Sequence, residues 1–285
     1  MIVLNNVAWR RKKFQLFVEK LRLRPGLTLL VGRNGAGKTS LLHMLATALF
    51  PQSGEIRYGG KTAAEALPLI RGQIGFVPTG LELYEEMKPE KLLGYLAQLK
   101  GIHGRTQIDA LIAQFHLQPF TDKKIKKLPY GIRQRIAIAQ SLLGSPSYLF
   151  LDEPLNYLDS PERKQVVRHL AHYAINRLIV VSTHELNEWA YCAERIPWFE
   201  GGRPLFYGTP AEWMQLPASL GVWQARMRIE QFKELPENRI IHFRMAGGEA
   251  DVRFIGHEGM AGCSFCIPAE TTLEDAYFIR SRFSI

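Results

Sequence analysis

Apolar and polar positions along this chain follow two regimes. Through residues 1–216, short apolar runs that end in turn residues alternate with stretches of helical spacing. Apolar positions recur over 2–7 and 14–23, and the run 27–31 ends in a glycine-rich turn, which predicts three strands. A helix is predicted from Lys38 to about Leu49, stopped by Pro51. Residues 74–77 read as a short strand closed by Pro78. From Pro89 to about Gln140 the pattern is mainly helical, with Ile132, Ile136, Ala139 and Leu143 on one face. Strands at 148–151 and 178–181 follow. Between them lies a helix that Ser160, Pro161 and Glu162 would open as N-cap, first-turn proline and first-turn acid. Strands alternating with helices predict an α/β layered sheet, with the helical middle, about 85–143, as an insertion.

Beyond Pro217 the period changes to two. Trp223, Ala225, Met227 and Ile229 alternate with polar residues, as do Ile241, Phe243 and Met245, then Val252 and Phe254. Half-buried antiparallel strands have this pattern. Thr271 and Glu274 have the spacing of a capping box for a last helix. The expectation is a domain over 1–216 and a small α+β domain over 219–285.

Composition narrows the class. The chain has 285 residues, 46% hydrophobic and 22% charged, an ordinary globular balance. No apolar run approaches the ~20 residues of a membrane span, and residues 1–14 have no signal-peptide pattern. A soluble chain is expected, its membrane role, if any, borrowed from another subunit. Three cysteines (Cys192, Cys263, Cys266) do not make a disulfide framework and fit a reducing compartment. The net charge of +9 admits nucleic acid or anionic lipid as partners. The basic runs Arg10–Lys13 and Lys123–Lys127 lack interleaved aromatics, however, so a solvated face is the expectation. Trp189 and Trp198 lie in apolar contexts and should be core. Cys263 and Cys266, with His242 and His257, carry a minor zinc alternative to an ordinary strand.

The chemistry is concentrated in three places. Gly32-Arg33-Asn34-Gly35-Ala36-Gly37-Lys38-Thr39 fits GxxxxGK[ST] between a predicted strand and a predicted helix. Such a loop wraps phosphate oxygens with backbone N–H groups at a helix N-terminus. Lys38 would reach the β- and γ-phosphates of ATP, and Thr39 would hold Mg2+, with Ser40 closing the loop's binding set. Asp152 and Glu153 follow a buried strand, at the edge where α/β sheets bind ligands. Asp152 would hold Mg2+, and Glu153 would act as general base on the attacking water. His184 ends the strand at 178–181 on the same edge, placed for a γ-phosphate contact.

In this order and spacing the chain resembles the nucleotide-binding subunits of ABC transporters over nearly its full length. The resemblance rests on the phosphate loop, Ile74-Gly75-Phe76-Val77-Pro78-Thr79 at the glutamine loop, 128–134 at the signature, Asp152-Glu153, Asn156-Tyr157-Leu158-Asp159 at the D-loop and His184. It implies a P-loop NTPase (RecA-like) core with an antiparallel β subdomain and a helical insertion. It also implies ATP hydrolysis with Mg2+, a second nucleotide-binding domain and integral membrane permease subunits as partners, and a cytoplasmic place at the inner face of the membrane. Trp9 would stack on adenine, with Phe14 as alternative. Gly131 and Asp159 would meet the ATP of the opposite subunit. Tyr84 and Tyr95 fall where family members meet the permease. The tail resembles the accessory domain of subunits serving export-type permeases. A soluble ABC-type ATPase acting on nucleic acid or ribosomes is the alternative.

Two positions depart from the family. The Mg2+-binding glutamine is Thr79, which is shorter by an amide arm. The Leu-Ser-Gly-Gly signature is Leu128-Pro129-Tyr130-Gly131, and Pro129 has neither a hydroxyl nor a backbone N–H. Loss of a charge-assisted hydrogen bond there is worth about 1.5–3 kcal/mol, or one to two orders of magnitude in rate. The expected result is a heterodimer with one strong and one weak site, or a slow homodimer.

Overall fold

The computed structural model describes residues 1–217, 220–256 and 266–283. Two units make up the chain: Met1–His184 with Tyr191–Tyr207, and Glu185–Ala190 with Gly208–Ile285.

In the first unit β1 (Ile2–Arg11) and β2 (Phe14–Leu23) form an antiparallel ribbon. Alternate positions Leu4, Leu16 and Val18 are wholly buried. β3 (Gly26–Gly32) is buried along its length and leads through the glycine-rich turn into α1 (Lys38–Leu45). This helix is shorter than its periodicity predicts. Thr47 adopts a left-handed backbone with φ 57°, and the Leu45 carbonyl accepts a hydrogen bond from the Tyr58 hydroxyl at 2.8 Å. β4 (Ser53–Tyr58), β5 (Lys61–Thr62) and α2 (Ala63–Gly72) come next, then β6 (Ile74–Val77). The helical middle consists of α3 (Pro89–Leu99), α4 (Thr106–Gln114) and α5 (Tyr130–Ser141). β7 (Tyr148–Asp152), α6 (Ser160–Tyr173), β8 (Leu178–Ser182), β9 (Ile196–Glu200) and β10 (Arg203–Gly208) complete the run. The cap of α6 is Asp159, one residue before the expected Ser160. Its carboxylate accepts from the Glu162 N–H at 2.9 Å, and Glu162 reaches back to the Asp159 N–H.

Two sheets result. β2-β1-β4-β5 is antiparallel, and β10-β9-β3-β8-β7-β6 carries the parallel strands. Ser182 is in register with both Leu30 and Asp152, so β3, β8 and β7 end at one edge. Trp189 and Trp198 are buried, as their contexts predict.

The second unit contains α7 (Pro210–Met214), β11 (Gly221–Arg228), α8 (Ile229–Glu234), β12 (Ile240–Ala246), β13 (Glu249–Gly256), β14 (Cys266–Ala269) and α9 (Leu273–Phe283). Its sheet order is β12-β13-β11-β14, all antiparallel. One face packs Ala225, Met227, Val252 and Phe254 together with Phe232, and the other sets Val222 and Ile255 against Ile279 of α9. The longer stretch of this unit begins at Gly208, ahead of the break in pattern near 217, because α7 belongs with it. Trp213 Nε1 donates to the Leu273 carbonyl at 3.1 Å. Ile229 opens α8 instead of extending β11. Phe243 and Met245 remain about half exposed because β12 is a sheet edge. The last capping box is Thr272 with Asp275, one residue beyond the predicted pair, and Asp275 also pairs with Arg253 at 2.5 Å. His257 and Cys263 lie outside the described residues; among those described, no three His, Cys, Asp or Glu cluster as a metal site. No described helix is long and apolar enough to cross a membrane.

Candidate active site

Three strand ends build the site. Gly32 closes β3 against the β9 backbone so tightly that a Cβ there would overlap the Phe199 carbonyl oxygen. Gly37, with φ 102°, is the residue before α1, and a Cβ on it would stand 2.7 Å from Leu16 Cδ1 and 2.9 Å from Phe14 Cζ. Both positions therefore need glycine for shape. Gly35, with φ 80°, has open space in front of it. Lys38 is buried, and its Nζ donates to the carbonyls of Gly32 at 2.6 Å and Arg33 at 3.3 Å. Burial pulls the Lys38 pKa below its usual value, while Glu153 and Asp152 push the other way. Arg33, Asn34 and Thr39 are exposed along the loop, Ala36 is buried beneath it, and Ser40 is half-buried.

β7 delivers Asp152, which is 2% exposed. Thr39 Oγ1 donates to its Oδ2 at 2.8 Å, and the Ser182 hydroxyl donates to Oδ1. Glu153 takes a left-handed backbone with φ 51°, and its N–H donates to the Ser182 carbonyl at 3.0 Å. That turn aims its carboxylate at His184, whose Nε2 lies 3.2 Å from Glu153 Oε1. Burial and then the Lys38 charge lower the His184 pKa below 6.5, against Asp152, so the imidazole is neutral at pH 7 and donates from Nε2. Ser182 was not singled out in the sequence; a hydroxyl at the end of a parallel strand beside Asp152 is the signal that finds it.

The other expected residues stand at measured distances from this centre. Thr79 is exposed, and its Oγ1 lies 3.4 Å from the Asp152 carbonyl oxygen, so its hydroxyl meets main chain and not the carboxylate. Trp9 is half-buried with its ring 6.4 Å from Phe14, and it is Phe14 that abuts Gly37. Gly131 opens α5 against the D-loop, where a Cβ would come 2.8 Å from the Tyr157 carbonyl oxygen. Gln134 Nε2 donates to the Pro154 carbonyl at 3.1 Å. Tyr130 and Tyr157 stack across this junction, centroids 5.3 Å apart, with Arg133 over the Tyr130 ring. Pro129 is the N-cap of α5 and gives it no side-chain cap. Asp159 is used as the cap of α6.

The donor set fits a nucleoside triphosphate with Mg2+. It comprises glycine N–H groups at a helix start, one buried ammonium, and a hydroxyl and a carboxylate held together as hard oxygen ligands. Residues 20–156 match the family model of the ABC transporter. Over these residues the chain carries an ABC transporter domain. The molybdenum import ATP-binding protein of Brucella melitensis is 33% identical over 198 residues, covering 66% of this chain and 54% of that protein. A probable multidrug ABC transporter ATP-binding protein of Escherichia coli is 31% identical over 185 residues, 64% of this chain and 32% of that one. The chain thus spans about half or less of the length of these curated relatives. Among solved structures, the cassette fold is shared with a dimeric ATP-binding cassette in a post-hydrolysis state with ADP and phosphate. Its TM-score is 0.67 at 22% identity, covering 73% of this chain and 98% of that one. An ATP-binding subunit of an ABC transporter gives 0.68 at 21% identity, covering 75% and 91%.

Proposed function

We propose that this chain binds and hydrolyses ATP to drive a membrane transporter through closure of a dimer of cassettes. The observation that supports this most is the meeting of Lys38, the Thr39–Asp152 pair and the Glu153–His184 pair on one edge of a parallel sheet. The phosphate-loop residues Gly32–Thr39 with Ser40 hold the triphosphate, and the Trp9–Phe14 corner receives the base. Thr39 and Asp152 would hold Mg2+, which when bound neutralises charge on the β- and γ-oxygens. Glu153 takes a proton from water as the water oxygen bonds to the γ-phosphorus. The bond from that phosphorus to the β–γ bridging oxygen breaks, releasing ADP and inorganic phosphate. His184 holds Glu153 through its single Nε2–H in this state and, with ATP bound, turns that donor toward the γ-phosphate.

Gly131 and Asp159 are proposed to meet the ATP of the opposite cassette, at a site weakened by Pro129. The exposed Tyr84 and Tyr95, in edge-to-face contact at 5.9 Å, mark the permease-facing surface. Relatives named for import and for multidrug transport both occur, so the export reading rests on the resemblance of the tail, which we propose to be an accessory domain. The nucleic-acid alternative loses support from the run Lys123–Lys127, because Lys124 and Lys126 are paired with Glu86 at 2.9 and 2.5 Å. A tagged chain recovered from solubilised native membranes should bring a polytopic membrane protein with it. Recovery with ribosomes or nucleic acid alone, in a salt-sensitive manner, would point to the alternative.

A further inference from the structure

The outer edges of the first unit's two sheets meet where β2 lies beside β10, and a cavity of about 570 Å3 opens in this seam. Alternation along β2 buries Leu21 and Leu23 and exposes Lys20, Arg22 and, just past the strand, Arg24 on one wall. Arg195 enters beside them, its own backbone bridged to Thr28 of β3. Leu205 and Tyr207 of β10 form the apolar wall. The Tyr207 hydroxyl donates to the Arg22 carbonyl at 2.5 Å, which ties the walls together and leaves the ring along the cavity. Burial raises the Tyr207 pKa, and Arg195 and Arg24 pull it back, so both guanidinium groups lie within electrostatic reach of the phenol.

Four cations share this space without compensation. Among the described residues, none of the four pairs with a carboxylate, whereas Arg57, Arg105, Arg133 and Lys126 all do. The neighbouring Glu194 turns its carboxylate over Gly26, and Arg195 Nη1 donates only to the Glu194 carbonyl oxygen, at 2.8 Å. Acidic residues outnumber basic ones in the second unit, so the positive balance of the chain resides in the first. The cavity is separate from the ATP site. Arg24 and Arg195 flank the start of β3, and the phosphate loop leaves its far end, about 20 Å away along a seven-residue strand.

We propose that this cavity binds a phosphate-ester anion with two or more negative charges, its organic body lying against Leu205 and Tyr207. Guanidinium forks suit phosphate oxygens, and a volume of this size with one apolar wall is that of a small-ligand pocket. A nucleic-acid strand is less well matched, because the only aromatics lining the cavity, Phe206 and Tyr207, are neighbours on one strand and make no stacking array. The ligand is either a free phosphorylated molecule or the headgroup of an anionic phospholipid.

The test uses the full chain carrying Lys38→Ala, which silences the phosphate loop. Sodium pyrophosphate is titrated in by calorimetry, and vesicles of phosphatidylglycerol in phosphatidylcholine are tested by co-sedimentation. Saturable binding of either probe, weakened at least about tenfold by Arg22→Gln with Arg24→Gln and by Arg195→Gln separately, supports the proposal. Pyrophosphate binding assigns a free ligand, and vesicle binding alone assigns the headgroup. Circular dichroism of each variant establishes that it is folded. The proposal is overturned if neither probe binds, if binding ignores these substitutions, or if only a 20-nucleotide single strand binds through these arginines.

Discussion

His184 shows how one residue's surroundings set its chemistry. Its imidazole is neutral because burial and Lys38 disfavour the cation, and it therefore donates to Glu153 as an uncharged group. The depressed pKa means that the unfolded chain takes up this proton first, so acidification through 6.5 costs stability. Below that range the imidazolium pairs with Glu153 and lowers its basicity. ATP turnover is expected to be flat through neutral pH and to decline below 6.5, and His184→Gln, which keeps a donor, should remove that acid limb. A profile unchanged by this substitution would separate His184 from the reaction. The same residue scale shows what sequence reading can reach. Lys38, Thr39 and Asp152 were legible because each follows an apolar strand in a motif of fixed spacing. Ser182 was not, since a serine ending a strand has no distinguishing pattern until the register sets it beside Asp152.

At the scale of elements, close backbone approaches position the site. β6 carries Gly75 against the C-terminal end of α5, where a Cβ would overlap the Ser141 carbonyl oxygen and crowd Leu149. Gly75→Ala is therefore expected to destabilise the chain by about 1–3 kcal/mol, read as a lower midpoint in urea unfolding. An unchanged midpoint would mean that α5 can slide without loss. Element type followed from periodicity wherever a face is buried, as for β3, β7, β8 and α5. Ends were harder to place, because tertiary contacts set them. The Tyr58 bond to Leu45 ends α1 early, and Thr272 displaces Thr271 as a cap because Asp275 also answers Arg253. The alternation around Ile229 continues past the end of its strand, since the Gln231 side chain accepts from the Arg228 N–H at 3.2 Å and starts α8 there.

At the scale of the whole molecule, the signature and the centre around Glu153 are distinct in quality. α5 begins at Pro129 with no side-chain cap, while Gly131 and Gln134 remain packed on the D-loop. Pro129→Ser supplies both a hydroxyl and an N–H. It should add about 0.5–2 kcal/mol of stability as an N-cap and raise turnover about 10–100-fold wherever this signature completes the site. Higher stability with unchanged turnover would place the rate limit elsewhere and remove the argument for asymmetry. Glu153 is the base on which ATP hydrolysis by this cassette is proposed to depend. The most direct measurement is MgATP binding and phosphate release by the chain, alone and with any membrane protein recovered with it, wild type against Glu153→Gln. The expected result is retained binding with turnover reduced by about two to four orders of magnitude. Equal turnover in the two proteins would contradict it.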